Sequence, residues 1–343
     1  MNRRTVLSHI IIGATCMTAT RLTAAVPGER DATVTVSGVE IACRLTFPQG
    51  AARGAVLLLP GSLYSDVDGN YPSMNLRPHA YADLAQQLGE RGFVVLRMAK
   101  IGPGTGSRTI DADAAQRHID FLARVEVAQA GLDLLKRNAP SRPVVVAGHS
   151  EGAVVASLLA QGPDGKAIDG VVSLSGPALP LLSIIRAQVA AMSPPGVSPD
   201  MTVFDRTIAA IRAGEALPDE AKSNPQTAML ASMPEAGLAY LRSVDRVDPV
   251  AALAQVRTSV LILQGEKDDS VPAAHAGMLL ASRRQFPTRL VTFPGLTHFY
   301  KVAPPDLLPM QSMGLETPSD PAVADAIADW ASDLGQDIMP TGQ

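Results

Sequence analysis

Cysteine is nearly absent from this chain of 343 residues, which holds only Cys16 and Cys43. Disulfide staples and Cys-rich zinc modules are thereby excluded as the source of its stability. Aromatic residues make up 4% of the chain, with a single Trp, too few to build stacking platforms for bases. A net charge of −4 and a pI near 5.9 offer no basic face for phosphates, so nucleic acid is not expected as a partner. Outside the motifs described below, His79, His118 and His275 are scattered without metal-ligand spacing, and neither a metal nor another cofactor is expected. Beyond the N-terminus no segment is long and apolar enough to span a bilayer, so no stable membrane insertion is expected. Apolar residues are plentiful instead. At 46% of the chain and a mean hydropathy of +0.14, they can fill the core of one large α/β domain or two small ones.

The N-terminus reads as an export signal, residues 1–25. Asn2-Arg3-Arg4 is a basic start, Val6 to Ala14 a short apolar stretch, and Thr23-Ala24-Ala25 a suitable cleavage site. The paired arginines before Thr5-Val6-Leu7 also fit a twin-arginine signal, so the expected address is periplasmic or secreted. Cleavage would remove Cys16 and leave Cys43, which lies in an alternating strand pattern, as a small core residue.

From Thr33 onward strands and helices alternate. Thr33–Val36 and Glu40–Phe47 form a hairpin pattern, and Gly54–Leu59, Phe93–Arg97, Val144–Ala147, Gly170–Ser175, Ser259–Gln264 and Arg289–Phe293 read as strands. Helical patterns cover about Pro78 to Arg91, Asp111 to Asn138, the run after Gly152, and Pro321 to Leu334. That rhythm implies a mostly parallel sheet with helices on both faces. It breaks over 178–248, where Pro194, Pro195, Pro199, Pro218, Pro225 and Pro234 punctuate Ala-, Met- and Leu-rich stretches. Short helices forming a cap over the sheet's rim are expected there, with Met192, Met201, Met229 and Met233 as either pocket lining or core filler.

Gly148-His149-Ser150-Glu151-Gly152 stands between an apolar strand and an apolar helix. A serine on so sharp a turn needs small neighbours, and the turn lifts its hydroxyl above the sheet. Such a serine is inert without a base, and the base needs a carboxylate to orient it. Downstream, Ser259–Gln264 runs into Gly265-Glu266-Lys267-Asp268-Asp269, and Arg289–Phe293 into Pro294-Gly295-Leu296-Thr297-His298. Both follow strands and so fall on the rim that carries Ser150. Ser150, Asp268 and His298 are the expected triad. Asp269 is expected instead to cap a helix begun by Pro272. Pro60-Gly61-Ser62 ends an early strand, and the N–H groups of Ser62 and Glu151 are the expected oxyanion-hole donors. Asp66-Val67-Asp68-Gly69-Asn70 opens like a calcium loop, but Tyr71 and Arg77 occupy the positions that need Gly and Glu, so a plain turn is expected.

These motifs resemble those of the α/β-hydrolase superfamily, and among its members bacterial serine esterases with a Pro-Gly-Ser oxyanion loop and a Gly-His-Ser-Glu-Gly elbow. The resemblance implies an α/β-hydrolase fold: core 33–177, helical cap 178–248, core 249–338. It implies an ester-cleaving enzyme acting on a small-molecule substrate. Relatives commonly carry Asp-Lys-Arg-Gly after the fourth strand, where this chain has Ala99-Lys100-Ile101-Gly102. That difference bears on substrate and leaves the triad untouched. An amidase, an aminopeptidase-like enzyme or an acyltransferase would use the same apparatus. A non-catalytic protein binding a ligand under the cap would not need it.

Overall fold

The structure, a computed structural model, describes residues 28–139, 143–193, 198–308 and 310–336. The expected signal segment, Cys16, and the Pro194-Pro195 pair lie outside the described residues.

Nine strands form one sheet: β1 Gly28–Val36, β2 Val39–Phe47, β3 Gly54–Leu59, β4 Phe93–Met98, β5 Arg108–Thr109, β6 Val144–His149, β7 Gly170–Leu174, β8 Ser259–Gly265 and β9 Thr288–Phe293. Their order is β1-β2-β4-β3-β6-β7-β8-β9, with β5 added beside β2. The hairpin β1–β2 joins β4 antiparallel, and from β4 to β9 every neighbour is parallel. Strands buried on both faces have to be apolar throughout, as Gly54-Ala55-Val56-Leu57-Leu58-Leu59 is. Alternation divides them: Ala55, Leu57 and Leu59 enter one core layer, Val56 and Leu58 the other.

One face is covered by α1 (Ala80–Glu90) and, from the end of the chain, by Pro321–Gln336. Helix α1 buries Tyr81, Leu84, Ala85 and Leu88, the spacing of a single helical stripe. The C-terminal helix lays Trp330 over Gly170 so closely that a Cβ there would sit 2.4 Å from the ring. The expected helix over Asp111 to Asn138 is in fact broken into α2 (Ala112–Ala115), a 3₁₀ turn, and α3 (Ala123–Asn138). The cause is local. Asp120 Oδ1 takes the Leu122 N–H, Phe121 turns fully into the core, and its N–H goes to Ser243 Oγ at 2.9 Å. Helix α3 and α4 (Glu151–Gln161) cover the second face. Cys43 is buried in this layer as a free thiol, and burial pushes its pKa up to about 12.

Between β7 and β8 the chain makes α5 (Leu181–Ala191), α6 (Thr202–Ala213), α7 (Ala228–Ala231), α8 (Glu235–Asp245) and α9 (Pro249–Ala254). The first four share a small core of their own around Leu182, Phe204, Ile208, Ile211, Leu230 and Leu241. Met201 and Met233 pack there as filler, whereas Met192 and Met229 are exposed. Asp248 caps α9 by accepting the Val250 and Ala251 N–H groups, with Pro249 at the first helical position. After β8 comes α10 (Ala274–Ala281), which makes the C-terminal helix α11.

Candidate active site

Ser150 links β6 to α4 with φ 53° and ψ −123°, a backbone state that costs a non-glycine residue about 1–3 kcal/mol. Its glycines are required by contact. A Cβ on Gly148 would lie 2.1 Å from the Gly152 carbonyl oxygen, and one on Gly152 would lie 2.6 Å from that of Leu59. The turn is thus wedged against the end of β3. There the loop from Pro60 to Ser62 passes so near that a Cβ on Gly61 would meet Ser150 Cβ at 3.1 Å. Among the described residues neither the Ser62 N–H nor the Glu151 N–H is spent on a protein acceptor. Both donors stand beside the serine, with Glu151 opening α4 where helix N–H groups have no partner in the helix.

Asp268 and His298 arrive on loops after β8 and β9. His298 Nδ1 donates to Asp268 Oδ2 at 2.8 Å, and the aspartate side chain is fully buried. The other carboxylate oxygen accepts the N–H groups of Ser270 at 2.9 Å and Val271 at 2.7 Å, while Gln264 Nε2 adds a bond to Oδ2. Burial alone would raise the pKa of this carboxyl. His298 and the N–H donors outweigh that, and the net shift is downward. Tyr300, at φ 58°, anchors the histidine loop: its hydroxyl donates to the Leu263 carbonyl at 2.9 Å and accepts from Ser175 Oγ at 3.2 Å. Among the described residues no hydrogen bond joins Ser150 to His298; the sheet brings them to one rim.

Asp269 does not cap the following helix. Helix α10 starts at Ala274, and the Asp269 carboxylate instead accepts Ser312 Oγ at 2.6 Å and Ser312 N–H at 3.1 Å, tying down the long segment before α11. The Asp66–Asn70 segment is a turn, its Asp66 carboxylate taken by the N–H groups of Asp68 and Asn70. Asp68 pairs with the buried Arg97 at 2.8 Å.

Two groups of side-chain contacts at this site emerge only in the structure. The first runs behind the serine. The Gly61 N–H donates to Tyr81 Oη at 2.9 Å, Tyr81 Oη lies 3.1 Å from His149 Nδ1, and His149 Nε2 lies 2.9 Å from the His298 carbonyl oxygen. A carbonyl only accepts, so His149 carries its proton on Nε2 and receives the tyrosine hydroxyl at Nδ1. Burial, with His298 close by, lowers the His149 pKa to about 3, and the ring stays neutral. It is no base. It couples the Pro60–Ser62 loop to the loop carrying His298.

The second group surrounds the Glu151 side chain, which is 4% exposed. Oε1 accepts from Lys100 Nζ at 2.9 Å, from Tyr240 Oη at 2.9 Å and from Arg124; Oε2 accepts from Ser62 Oγ at 3.1 Å. Burial raises the carboxyl pKa, but the two cations outweigh it and hold it down to about 2. Lys100, penalised by burial and by Arg124 more than Glu151 compensates, falls to about 8. A charged residue directly beyond a strand on the active rim was the only sequence signal for Lys100. The separations of 51, 27 and 89 residues gave none for the cluster.

A mostly parallel sheet, a strained serine between strand and helix, and a hydrogen-bonded aspartate and histidine on the loops after β8 and β9 define a class. The chain belongs to the alpha/beta hydrolase family, whose model matches residues 56–336. It is similar to Esterase EstD of Thermotoga maritima, 27% identical over 194 residues. That match takes in 54% of this chain and 42% of the relative, so the chain spans about two-fifths of the length of the curated relative it matches. Among solved structures it resembles Est1E from Butyrivibrio proteoclasticus, with TM-score 0.53 and 16% identity over 89% of this chain and 99% of that one. It also resembles proline iminopeptidase from Mycobacterium smegmatis, with TM-score 0.57 and 15% identity over 90% and 100%. Likeness at this level is one of fold.

Proposed function

We propose that this protein is an exported serine hydrolase that cleaves carboxylic esters through Ser150, His298 and Asp268. The observation that carries the reading is the 2.8 Å bond from His298 to Asp268 on the rim where Ser150 is held in its strained turn. With Nδ1 committed to the aspartate, Nε2 is the free base. It takes the Ser150 proton as Oγ attacks the ester carbonyl, then returns it to the departing alcohol. The Ser62 and Glu151 N–H groups receive the negative charge that develops on the carbonyl oxygen, and water releases the acyl group by the same steps. Asp268 keeps the imidazole oriented and steadies its positive form. No step calls for a cofactor.

The ester is preferred over an amide because the curated relative is named an esterase; the fold neighbours, one of them an iminopeptidase, do not discriminate. Residues 178–248 are proposed as a cap over the rim, supported by the Tyr240 and Gln188 contacts to the elbow and acid loop. Export rests on the basic, apolar and small-residue sequence of residues 1–25.

Hydrolysis of p-nitrophenyl esters from acetate to palmitate, beside a matched anilide, tests this. Ser150→Ala should lose several orders of magnitude in kcat, leaving the residual that binding and the oxyanion hole supply. Equal activity in Ser150→Ala would remove the serine from the mechanism, and faster anilide turnover would move the enzyme to the amidases.

A further inference from the structure

The Glu151 carboxylate belongs to the residue after the proposed nucleophile, and four side chains from separate parts of the chain converge around it. Three of them also reach the oxyanion loop. Arg124 Nη2 donates to the Pro60 carbonyl at 2.7 Å, Lys100 Nζ to the Gly61 carbonyl at 3.4 Å, and Ser62 belongs to the loop itself. The remaining side chain, Tyr240, comes from α8 in the segment between β7 and β8, and Lys100 Nζ lies 5.3 Å from the centre of its ring. Burying a carboxylate with two cations is costly and yields little net stability compared with apolar packing. Such a cluster does, however, fix geometry, because Lys100 and Arg124 each bond both the carboxylate and a carbonyl of the Pro60–Ser62 loop.

The geometry points to a specific role: the Glu151 side chain is a positioning residue for both oxyanion donors, with Tyr240 as the latch by which the inserted helices set it. This rests on the serine-hydrolase reading above. One donor is the Glu151 N–H, whose place follows from where its own side chain is anchored. The other is the Ser62 N–H, on a loop held through its two preceding carbonyls and its own hydroxyl by the same cluster. The anchoring of Tyr240 to Glu151 makes the helical insertion part of the catalytic apparatus. Its influence on rate then exists even for an ester too short to touch the insertion.

Tyr240→Phe and Glu151→Gln test this with two readouts, steady-state kinetics on p-nitrophenyl acetate and a longer ester, and the rate at which a fluorophosphonate labels Ser150. Positioning predicts that Tyr240→Phe lowers kcat about tenfold and Glu151→Gln by about 10- to 100-fold, short of the 10²–10³-fold cost of losing a donor outright. KM should stay within about threefold, the loss should be the same for both esters, and labelling should slow by the same factor. Unchanged kcat and labelling in folded Tyr240→Phe would overturn the inference. So would a loss confined to KM of the longer ester, which would make Tyr240 a pocket wall. If Glu151→Gln does not fold, Tyr240→Phe, which keeps shape and charge, decides alone. A wild type that labels but cleaves no ester would sink the ester reading and leave this comparison intact; one that does neither would overturn both.

Discussion

Tyr81 ties two loops of the proposed site together through one hydroxyl. Its hydroxyl is the acceptor for the Gly61 N–H and the donor to His149, and burial raises its pKa to about 12, so it stays protonated. Tyr81→Phe leaves a buried N–H without an acceptor and His149 without a donor, at a cost of about 1–3 kcal/mol. We expect a lower urea midpoint together with a fall of about tenfold in kcat, since the freed loop carries Ser62, the proposed oxyanion donor. Loss of stability with kcat intact would reduce the relay to packing. Asp268→Asn makes a sharper prediction: the amide can present N–H to His298 Nδ1 and favour the wrong tautomer. A drop approaching 10⁴-fold in kcat, with the fold retained by circular dichroism, is expected.

The elements were legible where one local constraint dominated. The ends of strand β3 are legible because five consecutive apolar residues between Gly54 and Pro60 allow little else. The elbow is legible because both glycines flank the serine in sequence, although only Gly148 answers to a contact within a few residues and Gly152 answers to the end of β3. Gly148→Ala, which would place a Cβ 2.1 Å from a carbonyl oxygen, is expected to yield insoluble protein. Recovery of soluble, active Gly148→Ala would show that the turn can open. The helix over Asp111 to Asn138 was misread because helical periodicity does not register a side chain that caps midway. Asp120 does so, and Phe121 is then drawn to Ser243 from 122 residues away. Asp269 departs from its expected capping role because its partner, Ser312, is distant in sequence. The contacts of Lys100, Arg124, Tyr240 and His149 likewise exist only once the fold has brought a strand end, a loop and two helices together.

At the scale of the whole molecule, the buried charges set how stability follows pH. Unfolded, Glu151 and Asp268 take up protons near 4.5 and 3.8; folded, both are held lower, Glu151 at about 2. Below about pH 4.5 the unfolded chain therefore binds more protons, and the stability these groups contribute above that pH is lost as pH falls toward about 2. Lys100 acts at the other end: between about 8 and 10.5 the unfolded chain keeps a proton the folded one has shed, so this group favours folding more as pH rises through that window. Urea midpoints measured from about pH 3 to 10 should show the acid limb flatten in Glu151→Gln. An unchanged acid limb would place the proton-linked stability elsewhere.

The lone thiol in the sheet has a consequence for how damage to this protein could be counted. Cys43 is enclosed and its thiol stays protonated in the native fold, so neither oxidants nor another chain's sulfur can engage it there. Only a molecule that has come apart exposes it. In an oxidising medium, a covalent dimer joined through Cys43 would therefore be a lasting record of two unfolding events, legible on a non-reducing gel long after the survivors have returned to the native state.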